Sequence, residues 1–215
     1  MSSVVISGDT SGAITLAAPA IAGTNTITLP AQTATIATLT TPSFATTIGV
    51  GGATAAASGA GITFPASQSA SSDANTLDDY EEGTFTPSFS STGASFAYDS
   101  DYRVGRYTKT GNLVTFSLWC ATSTIPTGTL SNTLTITGLP FTAGGNSQAN
   151  AFAFAIGQMY NVVWTASKQQ GSAFVEQNNS VVRLFWEQDN VISATWIASN
   201  LKASTYLLIS GSYQV

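Results

Sequence analysis

Tyr107-Thr-Lys-Thr-Gly-Asn-Leu-Val-Thr-Phe-Ser-Leu-Trp-Cys120 decides the fold of this chain. Thr110-Gly-Asn112 is a turn signal between two runs of β-type residues, so the stretch reads as a hairpin. In its second strand Val114, Phe116, Leu118 and Cys120 alternate with Thr115, Ser117 and Trp119, and a period of two places the first four on one face. Trp119 then falls on the opposite face, outside the core or at an interface between subunits.

The same pattern recurs on both sides of this hairpin. Gly83-Thr-Phe-Thr-Pro-Ser-Phe89 alternates upstream. Downstream, Phe152, Phe154 and Ile156 alternate with alanine, and Val181–Glu187 and Val191–Trp196 flank a Gln-Asp-Asn turn at 188–190. Leu207, Ile209, Gly211, Tyr213 and Val215 share a face in the last strand. No convincing helix pattern interrupts the series. Many short strands at close spacing predict an all-β fold: an N-terminal extended β arm followed by a C-terminal β-sandwich of jelly-roll type.

Charge divides the chain. Only 8% of residues are charged, against ~25% in ordinary soluble domains. After Asp9 no charged residue occurs until Asp73, and all six basic residues lie at Arg103 or later. Residues 1–72 therefore read as an uncharged arm, 73–82 as an acidic link and 83–215 as the sandwich domain. In the arm Gly12-Ala-Ile-Thr-Leu16 and Asn25-Thr-Ile-Thr-Leu-Pro30 are short β segments, and Ile27-Thr-Leu-Pro-Ala31 returns as Ile62-Thr-Phe-Pro-Ala66. Each offers two or three apolar side chains, too few to offset ~1–2 kcal/mol of backbone entropy per ordered residue without neighbours. Gly49 to Gly61 reads equally well as a flexible linker.

Composition also excludes. No run of ~20 apolar residues exists, so no transmembrane helix is expected. Met1-Ser-Ser-Val-Val-Ile6 has no basic segment, so a secretory signal is not expected. A single cysteine, Cys120, fits a reducing cytoplasm and reads as a small buried apolar residue. A net charge of −5 argues against nucleic acid as partner. With no histidine, Ser-His-Asp and Cys-His catalysis and His-based zinc sites are excluded. Carboxylates remain, densest at Asp78, Asp79, Glu81 and Glu82, but local clustering does not give the opposed pair that glycoside cleavage needs. A solvated link is the better reading than catalysis or a divalent-ion site at Asp73–Glu82. The expectation is a chain without enzyme activity and without cofactor. Trp119 with Arg103, Arg106 and Lys109 in the same hairpin forms the candidate receptor contact, weighed against core or interface for the tryptophan and a solvated strand face for the basic residues.

Several segments in order resemble tail fibres of bacteriophages, notably those of marine bacteria and cyanobacteria. They are Ser11–Ala20 with Ala22–Ala31, then Leu77-Asp-Asp-Tyr-Glu-Glu-Gly-Thr-Phe-Thr-Pro87, Gly105–Val114, Ile136-Thr-Gly-Leu-Pro-Phe141 and Ile209-Ser-Gly-Ser-Tyr213. The resemblance implies a virion protein assembled in the host cytoplasm, usually a homotrimer. Its arm would dock on other virion proteins and its distal β-domain would bind a host-surface glycan or cap the assembly. Many such fibres carry a long shaft, which is almost absent here, so a short fibre or tail tip is expected. The alternatives are a capsid-associated head fibre or decoration protein and a carbohydrate-binding module.

Overall fold

A computed structural model describes residues 3–7, 13–17, 47–56, 58–59, 61–67, 71, 73, 76–145, 151–164, 168–188 and 193–215. The chain forms two compact units, Met1–Phe44 and Ala45–Val215. In the first, β1 (Ser3–Ser7) and β2 (Ala13–Ala17) pair antiparallel, with Val5 opposite Thr15. The Asn25–Pro30 segment, and with it the first copy of the Ile-Thr-Leu-Pro-Ala repeat, lies outside the described residues. So do Asp189, Asn190 and Val191 of the turn expected at 188–190 and the strand after it.

The second unit opens with a small parallel ribbon, β3 (Thr47–Gly49) beside β4 (Gly61–Thr63). Then come β5 (Tyr80–Phe85), β6 (Ser88–Ser90), β7 (Ala94–Ser95), β8 (Tyr98–Thr110) and β9 (Leu113–Thr122). β10 (Thr127–Gly128), β11 (Thr135–Thr137), β12 (Ala151–Val162), β13 (Lys168–Glu176) and β14 (Val182–Gln188) follow. β15 (Ala194–Thr195), a single 3-10 turn at Ala198–Asn200 and β16 (Leu201–Gln214) complete the unit.

Ten of these strands form one antiparallel sheet in the order β5-β8-β9-β16-β12-β13-β14-β11-β6, with β15 beside β14. The two layers expected of a sandwich are thus two halves of one sheet. They share β12, whose first residues pair with β13 and whose later residues pair with β16. β12 carries irregularities between Ile156 and Gln158 and between Tyr160 and Val162, where extra residues bend a strand.

The sheet curls until its ends meet. β5 and β6 sit at opposite ends of the strand order, yet only Thr86 and Pro87 separate them in the chain. Such a link spans at most about 11 Å. The sequence here reads as one alternating strand from Gly83 to Phe89, but Pro87 has no N–H to give a ladder, and the chain turns the corner there. Arg103 in β8 fastens the corner: its guanidinium donates to the Pro87 carbonyl and the Ser88 hydroxyl and lies 3.7 Å from the centre of the Tyr98 ring. The Tyr98 hydroxyl donates to the Phe89 carbonyl at 3.0 Å, and its ring stacks on Phe89.

One apolar cluster fills the space inside. It takes Val114, Phe116, Leu118 and Cys120 from β9, Leu207, Ile209 and Tyr213 from β16, Val175 from β13, and Val182, Leu184 and Trp186 from β14. Phe116 meets Phe154 edge-on at 4.8 Å, joining the β9 face to β12. Trp186 and Trp196 stack at 4.2 Å, and the Trp196 indole N–H donates to the Phe185 carbonyl at 3.0 Å. Where β5 meets β8, Gly83 lies under the Tyr107 ring and Gly105 under the Phe85 ring, and a Cβ at either position would collide with that ring. Cys120 is fully buried, and burial pushes its thiol up to about 12.

Candidate functional site: an aromatic platform on the outer face

Alternation that buries one face of a strand exposes the other, so the sheet's register fixes what that face carries. Val104 in β8, Trp119 in β9, Leu208 in β16 and Gln158 in β12 stand opposite one another in one row across four strands. Tyr206 and Tyr160 stand opposite each other in the neighbouring row. Tyr102 reaches into the same group: its ring stacks on Trp119 at 4.8 Å and meets Tyr206 edge-on at 5.0 Å. Tyr160 lies 5.7 Å from Tyr206. Packing among these rings, and then the nearby Asp99 carboxylate, hold the Tyr206 hydroxyl above the ordinary phenol range.

The rest of this outer face is different. Arg106, Thr108, Thr115, Ser117, Ser210 and Ser212 are all exposed. A small hydroxyl-covered field therefore ends in a contiguous set of half-buried rings with a carboxylate at its edge. Flat rings with polar groups at the rim can stack on the apolar face of a sugar while the rim accepts or donates hydrogen bonds.

A second feature lies where residues 64–66 approach β5 and the β8–β9 hairpin. A cleft of about 310 Å3 there is lined by Phe64, Pro65, Tyr80, Glu81, Lys109 and Phe141, among others. The Lys109 ammonium pairs with Asp79 at 3.3 Å, both side chains almost fully buried. The Gly111 N–H, at the hairpin turn, donates to the carbonyls of Asp78 and Asp79 at 3.0 and 3.1 Å. The hairpin tip thereby clasps the chain just before β5. Glu81 accepts a hydrogen bond from Tyr107, which is the largest cause pushing that phenol up to about 12. Glu82 accepts one from Tyr80. Asp79 adopts a left-handed backbone with φ of 52°.

The four residues singled out in the hairpin do not come together. Trp119 joins the platform, and Arg106 is exposed on the same outer face, opposite Thr84 and Ser117. Arg103 and Lys109 point the other way, the first to the Thr86–Pro87 corner and the second to Asp79. Odd and even positions of one strand face opposite sides, so three basic residues close in sequence cannot form one patch. Lys109 is only 3% exposed, not part of a solvated face. Tyr102, Tyr160 and Tyr206 were not singled out from sequence. The signal for Tyr206 was present, since its parity is opposite to that of Leu207 and Ile209.

Among the described residues, no three His, Cys, Asp or Glu side chains gather as a metal would need, and no helix is long and apolar enough to cross a membrane. No family model matches the chain, and no curated protein matches it. Among solved structures it is similar to one described as the crystal structure of the Dettilon tailspike protein (gp208), with a TM-score of 0.53 and 20% identity. The match covers 63% of this chain and 24% of the tailspike, so the likeness extends over about a quarter of that protein's chain. At this identity the likeness is one of fold.

Proposed function

We propose that this chain is a structural protein of a bacteriophage particle: a homotrimeric tail fibre or tail-tip protein that takes part in host attachment. The observation that carries the reading is the Tyr102–Trp119–Tyr206–Tyr160 platform on the outer face of the sheet, in a chain similar in fold over 63% of its length to a phage tailspike. In this reading the platform contacts a host-surface glycan, with Trp119 as its centre and Arg106 at the margin. Residues 1–72 attach the protein to neighbouring virion proteins. An uncharged segment of short strands suits strand addition to an exposed edge on another chain. Arg103 and Lys109 act through the fold and do not touch the ligand.

The reading is one of binding without catalysis. Glu81 and Glu82 are consecutive in one strand, so they point to opposite sides, and each accepts a hydrogen bond from a tyrosine. Asp78 and Asp79 fasten the chain to the hairpin tip, and in this reading none of the four carboxylates faces another across a ligand.

The platform would serve a carbohydrate-binding module equally well, so particle location separates the readings. Antibody labelling of intact particles should place the protein on the tail; labelling of the head would favour a head fibre or decoration protein. Purified protein should bind host surface polysaccharide and compete with particle adsorption. Trp119→Ala should lose both while keeping its melting transition. Full binding by that variant would remove the platform from the reading.

A further inference from the structure

The small parallel ribbon of β3 and β4 is built inside out. Thr47 and Thr63 lie on one of its faces, where the Thr63 hydroxyl donates to that of Thr47 at 3.1 Å and the Thr47 hydroxyl donates to the Ala56 carbonyl at 3.0 Å. The intervening loop thus covers the polar face. Ile48 and Ile62, opposite each other in register, lie on the other face and are 37% and 54% exposed. Val50 and Leu77, nearby, are 37% and 65% exposed. Together with Phe64 and Pro65, Val50, Ile62 and Leu77 line a groove of about 350 Å3, with Asp78 and the Lys109-paired Asp79 at its far end. Half of the exposed large hydrophobic residues among those described fall between Ile48 and Tyr80.

A ribbon of two short strands is marginal alone, and parallel pairs are ordinarily buried on both faces. An apolar face of this kind marks an interaction surface. Charge identifies the occupant. On a rotation axis a residue meets its own copies, so a charge placed there meets like charge. From Thr10 to Ser72 the chain has no charged residue, so the Ile48, Val50 and Ile62 part of the ribbon can meet its copies without repulsion, with the Asp78 and Asp79 end of the groove turned away from the axis. The platform differs: the Asp99 carboxylate stands beside Tyr206, and an axis through it would bring like charges together.

We infer that the Ile48/Val50/Ile62/Leu77 face is the seam along which copies of this chain assemble, each ribbon covered by the ribbons of its partners. The inference rests on the homotrimeric reading and assigns it a surface. It leaves the aromatic platform free for a ligand and places the axis on the chain segment just before the sheet.

Light scattering on the full chain tests this. The wild type should have the mass of a trimer at micromolar concentration, and Ile62→Asp/Leu77→Asp should fall to one chain with its near-ultraviolet circular dichroism intact. An Ile62→Cys chain, mildly oxidised, should give covalent dimers on a non-reducing gel. The wild type should give none, because its single cysteine is buried. If the aspartate variant loses its near-ultraviolet signal as well as its partners, the cysteine crosslink decides: dimers support the seam and their absence overturns it. A wild-type trimer that survives the aspartate substitutions overturns the seam and leaves the trimer standing. A monomeric wild type removes both.

Discussion

Two groups of aromatic residues lie on opposite sides of the same sheet and do opposite things. Trp186 and Trp196 stack parallel at 4.2 Å and are fully buried, one of them hydrogen-bonded to a backbone carbonyl. Trp119, Tyr102 and Tyr206 pack almost as closely, yet each keeps part of its ring in solvent. The first group closes the core and the second has no protein layer over it. Ring contacts alone therefore do not reveal a binding face. What separates the groups is the side of the strand they occupy, which is fixed by register.

The comparison breaks most readily at the inner group. Trp196→Ala should cost about 3–5 kcal/mol, because a large buried ring leaves a cavity and its hydrogen bond is lost. Denaturant unfolding measures this, and a loss near that of a surface substitution would mean that the stack does not close the core. Next is Lys109→Met, which leaves the Asp79 carboxylate buried without its ammonium and should cost about 3 kcal/mol. Adding Asp79→Asn, which removes the charge and tolerates the left-handed backbone, should recover most of that. If the double variant is as unstable as the single one, the pair is not the source of the loss.

Trp119→Ala sharpens the contrast from outside. Its stability should change by no more than about 1 kcal/mol, while glycan affinity should fall at least about tenfold. Equal losses in both would make Trp119 a core residue in disguise. The smallest effect is alkaline. Tyr213, through burial, and Tyr107, through its bond to Glu81, are both pushed up to about 12 in the folded chain, against about 10 unfolded. Groups raised in this way contribute fully below pH about 10, and their contribution is lost as pH rises towards about 12. Phenolate absorbance should show Tyr107 and Tyr213 among the last tyrosines to titrate in the folded protein, and all titrating together in denaturant. A single common transition in both states would contradict this.

The inner face was legible because β9 and β16 alternate cleanly. Val114, Phe116 and Leu118, like Leu207, Ile209 and Tyr213, declare their side without help from any neighbour. The outer face was only half legible. Trp119 could be set outside the core, but its companions come from three other strands, and no local pattern states which strands become neighbours. Lys109 was misread for the same reason: its acid, Asp79, lies thirty residues away, and the β5–β8 pairing with the β8–β9 turn brings them together. The Thr86–Pro87 corner was overlooked because alternation continues across it, although the proline itself carried the warning. Gly49 to Gly61, between the ribbon's two strands, read equally well as a linker because glycine and alanine dominate it. The ribbon's order comes from the Thr47–Thr63 hydroxyl contact and the loop folded over it.

The place of β16 has a consequence for biosynthesis. It is the latest strand of the sheet to leave the ribosome, yet it lies at the centre, zipping β9 on one side and β12 on the other. Until it emerges, β5-β8-β9 and β12-β13-β14 are separate fragments with open edges, exposed to mispairing with other nascent chains on the same message. The distance in sequence between β9 and β16 makes closure slow. A translation product that stops before Leu201 lacks the piece that joins the halves. Interrupted synthesis would therefore leave material for proteases and not a folded but defective subunit.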